Sequence, residues 1–147
     1  MGTLTRFIVP LIVLVGVGVV AYRTSGPGRA APTPEVFTST DLTASLAAAS
    51  GQTPPGLVIA DFTASWCGPC QQMKKQTWPD AGVSGWIKAN ATAVLVDTDA
   101  HPREAQANNI SGIPAIVVYR GQKEIARAVG FQSPAQLLTF LEAAKAK

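Results

Sequence analysis

Histidine occurs once and cysteine twice in 147 residues. One histidine cannot build a histidine metal cluster, and two cysteines cannot form the framework of a small cross-linked domain. Charge is scarce as well. Only 14% of residues are charged, against about 25% in an ordinary soluble domain. There is no internal repeat and no long low-complexity tract. The basic excess is local. Of 12 basic residues, Arg6, Arg23 and Arg29 lie in the first 31 positions, where no acid occurs. The remaining nine face nine acids, so the formal charge of +3 belongs to the N-terminal segment. The rest is near neutral and lacks the basic face that nucleic acid requires, so no nucleic-acid partner is expected.

Hydrophobic residues reach 47%. Part of that excess is the uncharged run from Phe7 to Tyr22, sixteen residues long. As a helix it spans about 24 Å, short of the roughly 30 Å hydrocarbon core. Counting from Leu4 lengthens it but includes Arg6, which must then snorkel. The run reads as a signal anchor over residues 1–22, with a cleaved signal peptide as the alternative. Val19-Val20-Ala21 and Gly28-Arg29-Ala30 are mediocre cleavage sites, which favours the anchor. No cysteine follows closely, so a lipoprotein anchor is excluded. Arg23 to Pro34 is rich in Gly, Pro, Ser and Thr and reads as a flexible linker over 23–34. The expected domain occupies 35–147.

Within that domain the pattern alternates. Thr40 or Asp41 caps a helix from Leu42 to about Ala49, closed by Gly51. Leu57 to Phe62 is an apolar run of strand length. A helix follows Cys67 and ends near Gln76. Pro79 to Gly82 breaks the chain before a short helix over Val83–Ala89. Ala93–Asp97 is a second strand, and Pro102 opens a short helix to about Asn108. Pro114–Tyr119 and Lys123–Val129 form a hairpin around Arg120-Gly121-Gln122. Ser133 caps a last helix with Leu137, Leu138 and Leu141 on one face. Strands separated by helices imply right-handed parallel crossovers, and the final hairpin must be antiparallel. The expectation is an α/β fold, a mixed sheet of about four strands with helices on both faces.

Cys67-x-x-Cys70 falls where a strand ends and a helix begins. A helix N-terminus presents unpaired N–H groups and the positive end of its dipole, and both favour a thiolate. The first cysteine is then the exposed, more acidic thiol. The second lies nearly one turn on. Pro69 in the first turn costs no hydrogen bond. The thiolate of Cys67 can attack a substrate disulfide, and Cys70 can then attack Cys67 to release the reduced substrate. Two other readings stay open. A permanent disulfide across so short a ring constrains little chain. Half a zinc site lacks a second pair, and His101 complements it poorly.

Trp66-Cys67-Gly68-Pro69-Cys70, with Asp61-Phe62 before it and Ser111-Gly112-Ile113-Pro114 after it, resembles the thioredoxin family. The resemblance covers about Phe37 to Lys145. It implies the thioredoxin fold and thiol–disulfide exchange without a cofactor. It also implies roles residue by residue. Cys67 becomes the nucleophile, Cys70 the resolving thiol, and Asp61 the buried acid that assists proton transfer at the second cysteine. Pro114 becomes a cis-proline facing the cysteines. Trp66, Gly68, Pro69, Ile113, Pro114 and Gly130 become the substrate-binding groove. Two positions depart from the pattern: Leu95 stands where many thioredoxins have a lysine paired with the acid, and Thr63 where they often have tryptophan. The stretch from Lys75 through Trp78 and Asp80 to Trp86 is similar to membrane-linked thiol reductants, such as the thioredoxin-like domain of the bacterial transmembrane disulfide reductase.

These readings combine into one expectation: a monomeric thiol–disulfide oxidoreductase that reduces exported proteins. Its expected electron donor is a membrane thiol. Its expected place is the bacterial inner membrane as a single-pass protein with the domain in the periplasm, or the periplasm itself if the signal is cleaved. The alternatives are net oxidation of exported thiols and a non-catalytic peptide-binding or assembly module that uses the same groove. Asn90-Ala91-Thr92 and Asn109-Ile110-Ser111 match glycosylation triplets, which occur often by chance.

Overall fold

Strand β2 (Leu57–Thr63) is buried at every position, because it lies at the centre of a five-stranded sheet with helices against both faces. The computed structural model describes residues 30–147. In chain order the other elements are β1 (Phe37–Ser39), α1 (Leu42–Ser50), α2 (Gly68–Gln76), α3 (Ala81–Asn90), β3 (Ala91–Asp97), α4 (Pro102–Ala107), β4 (Ala115–Arg120), β5 (Lys123–Val129) and α5 (Pro134–Lys145). The sheet order is β1-β3-β2-β4-β5. Strands β1 and β2 run parallel to β3, while β4 is antiparallel to both β2 and β5. This is the thioredoxin fold.

Side chains alternate across β2, so one strand feeds two cores. Leu57 and Ile59 pack with Met73 of α2, Val83 and Ile87 of α3, and Leu137 and Leu141 of α5. Val58, Ala60 and Phe62 pack on the opposite face with Leu42 of α1 and Ala105 of α4. Asp61 and Thr63 share the parity of Ile59 and therefore point toward the α2 side.

Local chemistry sets the helix ends. Asp41, not Thr40, caps α1 by accepting the Ala44 N–H at 2.8 Å. Ser133 and Gln136 form a reciprocal capping box at α5. Helix α3 starts at Ala81, two residues earlier than expected. The cause is Asp80, whose Oδ1 accepts the N–H groups of Gly82 and Val83 at 2.9 and 3.1 Å. The fifth strand, β1, was not expected. It is three residues long and carries no apolar run. Its Phe37 meets Trp78 edge-to-face, with ring centroids 4.9 Å apart.

The membrane reading is corrected. Among the described residues no helix is long and apolar enough to cross a membrane. The longest, α5, has 12 residues, about 18 Å against the roughly 30 Å needed. The apolar run 7–22 and most of segment 23–34 lie outside the described residues. The transmembrane span, the inner-membrane or periplasmic placement and the membrane partner are not retained.

Candidate active site

The cysteine pair sits at the C-terminal end of β2, where the chain turns into α2. Cys67 is the N-cap of α2, with extended backbone, and its Sγ accepts the Cys70 N–H at 3.2 Å. Pro69 occupies the first turn. This brings the two Cα atoms to 5.2 Å, and the sulfurs are joined as a disulfide. Both residues are buried, Cys67 at 4% exposure and Cys70 at 1%, so in the disulfide form Cys67 is not the exposed residue that the sequence leads one to expect. They form a small apolar cluster with Ala64, against which Ile113 packs.

The expected groove residues surround this cluster unequally. Trp66 is 71% exposed, and its indole N–H donates to Asp99 Oδ2 at 2.8 Å. Gly68 and Pro69 are exposed, and a Cβ added at Gly68 would meet nothing within 4 Å. The Ile113–Pro114 peptide is cis. Pro114 is buried, and its carbonyl accepts the Gly130 N–H at 2.8 Å. Gly130 has φ +91° and open space where a Cβ would stand. A second cis peptide, Thr53–Pro54, lies elsewhere and was not expected. Exposed Val129, 55% accessible beside Gly130, was also missed; its signal was an apolar residue closing a strand whose neighbours are half-buried.

Asp61 is 2% exposed, and its Oδ1 has no hydrogen-bond partner. Burial pushes its carboxyl from the usual 3.8 up to about 7, against the opposing pulls of the Lys74 ammonium and the Trp78 indole. The indole N–H lies outside hydrogen-bond geometry, so its pull is the smallest of the three, and the buried Thr63 hydroxyl has no partner. Among the described residues these three unpaired side-chain atoms all belong to the α2 side of β2. The sequence pattern reads Lys74 as part of a solvated helix face; its spacing of four from Cys70 on α2 is the signal that places it near the site.

The family is shown by comparison. The thioredoxin family model matches residues 38–143. A thioredoxin of Chlamydia trachomatis is 33% identical over 86 residues, covering 58% of this chain and 80% of that protein. A thioredoxin-like protein of Synechocystis is 33% identical over 88 residues, covering 60% and 81%. The solution structure of a thioredoxin from Thermus thermophilus superposes with a TM-score of 0.64 at 24% identity, covering 75% of this chain and 88% of that one, and this likeness shows the fold. The similarity falls on the domain. It supports no membrane-anchored or exported form, so the expected exported substrates and membrane thiol donor are corrected with the anchor. A strand–CxxC–helix site of this geometry, within a family match across nearly the whole described region, establishes that the chain belongs to the thioredoxin family and carries a Cys67–Cys70 pair suited to thiol–disulfide exchange.

Proposed function

We propose that the protein reduces disulfides in protein substrates. The Cys67 thiolate attacks one substrate sulfur, forms a mixed disulfide and expels the other substrate sulfur as a thiolate. Cys70 then loses its proton and attacks Cys67 Sγ. The second substrate sulfur leaves as a thiolate, and the Cys67–Cys70 disulfide remains. One substrate disulfide is reduced as one protein dithiol is oxidised. The observation that carries this reading is the Cys67 sulfur at the tip of α2, 3.2 Å from the Cys70 N–H. That donor favours negative charge on the attacking sulfur.

Asp61 serves the second step. A carboxyl held near neutral pH by burial is matched to accept a proton from Cys70 as it becomes a nucleophile. Trp66, Gly68, Pro69, Ile113, Pro114 and Gly130 supply the surface for an extended substrate segment. The reading is supported by the exposed indole, the missing side chains at both glycines and the packing of Ile113 on the cysteines. Insulin reduction in the presence of dithiothreitol tests it. Wild type should precipitate the insulin B chain, and Cys67→Ser should not. A wild-type protein no faster than dithiothreitol alone would overturn the proposal.

A further inference from the structure

Gln71 follows the second cysteine and has no part in the exchange chemistry, yet its side chain joins two distant segments. Its Oε1 accepts the backbone N–H of Ala31 at 2.7 Å, across 40 positions of chain. Its Nε2 donates to the Ala64 carbonyl at 3.1 Å. That same carbonyl accepts the Cys67 N–H at 3.3 Å, closing the turn that delivers the cysteine to the helix tip. The Gln71 N–H also bonds the Cys67 carbonyl at 3.0 Å. One side chain thus ties the active-site turn to residue 31.

Ala31 is not a stray contact. Ala31, Pro34 and Val36 are buried, and Val36 belongs to the core under α2 and α3. The segment from Pro32 to Val36 shares a cleft with Lys74, Trp78 and Lys88. Composition alone reads residues 31–34 as tether, but here they lie packed on the domain.

We propose that Ala31–Val36 is a strap that sets the active-site turn, with Gln71 as its positioning residue. The Ala64 carbonyl, held from two sides, keeps Cys67 in the N-cap conformation with its sulfur on the Cys70 N–H. In the reduced protein that N–H stabilises the thiolate. Freeing the turn weakens this contact and raises the free energy of the dithiol form. The balance between protein disulfide plus two glutathione thiols, and protein dithiol plus glutathione disulfide, then moves toward the protein disulfide. The strap therefore moderates the reducing power of the site from outside it.

The test uses the full chain with Ala31→Pro, which removes the strap's N–H donor, Gln71→Ala, and the double variant. The glutathione equilibrium and the pH midpoint of Cys67 alkylation are read for each. Gln71→Ala should favour the disulfide by roughly threefold to tenfold, the range of one net hydrogen bond, and move the alkylation midpoint upward. Ala31→Pro should move both in the same direction by less. The double variant should match Gln71→Ala, because both changes cut one path. An unchanged equilibrium in Ala31→Pro, or full additivity in the double variant, would overturn the strap. The proposal rests on the redox reading, but the equilibrium is measured on the cysteine pair itself. Failure of the strap therefore leaves wild-type insulin reduction intact, whereas failure of the redox reading appears there first.

Discussion

Asp61 and Leu95 are register partners across β2 and β3, so the strand beside the buried acid presents a hydrocarbon where a cation would balance it. On the other side the partner is Ile116. The acid is flanked by apolar side chains within the sheet, and among the described residues the one cation that acts on it comes from α2, as Lys74. Desolvation wins over that single opposing charge, which is why the carboxyl rises to about 7.

The consequence for stability has a definite sign. Between pH 4 and 7 the folded protein holds a proton on Asp61 that the unfolded chain has lost. Stability therefore falls as pH rises through that window and is lowest once both states are ionised. The upper bound of this cost is about 4 kcal/mol. Asp61→Asn should remove the dependence and gain stability over wild type at pH 8 relative to pH 5. Urea unfolding of both oxidised proteins at the two pH values checks it; parallel losses in wild type and variant would place the titration elsewhere.

The same group sets a kinetic prediction. Only ionised Asp61 accepts the proton of Cys70, so the rate of mixed-disulfide resolution should climb through pH 7 in wild type. Asp61→Asn should slow this step and leave attack by Cys67 nearly unchanged. Rapid-quench measurement of the two steps separates them. Equal rates for wild type and variant near pH 7 would make Asp61 a structural residue only.

Leu95→Lys supplies the missing cation. Leu95 is 8% exposed, near enough to the surface for a lysine stem to carry its ammonium outward. The added charge favours the carboxylate. The pH midpoint of the resolution step should move to lower pH than in wild type, with attack by Cys67 unaffected. A midpoint that stays in place would mean that position 95 does not reach the acid.

How much of this was legible in the chain depends on which force decides each feature. The Leu57–Phe62 run and the Lys123–Val129 hairpin arm are set by local pattern, and both strands stand where expected. Asp41 and Ser133 announce their helices through side chains favoured at the N-cap, although beside Asp41 the sequence offers Thr40 equally. Strand β1 was illegible because three residues at a sheet edge are held by pairing with β3 and by Phe37 against Trp78, not by their own periodicity. The site divides in the same way. Cys67 and Cys70 declare themselves by spacing, and Asp61 by an acid inside an apolar run. Lys74, Trp78 and Gln71 act on the site through tertiary placement, which no motif encodes. The apolar run at 7–22 invited a membrane reading that the described helices do not support.

Gly130 gives the sharpest test of the groove. Its φ of +91° lies where a side chain is strained, and a Cβ there would point into open space. Its N–H is committed to the Pro114 carbonyl, so the residue cannot move without disturbing the cis-proline loop. Gly130→Val should cost about 1–2 kcal/mol in stability from backbone strain. It should also place a branched side chain beside Pro114, where an extended protein substrate would lie. A small aromatic disulfide needs the Cys67–Cys70 pair but no groove. Insulin reduction should therefore fall severalfold while reduction of the small disulfide by the same preparation holds within about twofold. That prediction treats the groove as a recognition surface worth about 1 kcal/mol at this edge. Equal losses on both substrates would trace the effect to the cysteines instead, and Gly130 would then have no part in substrate recognition.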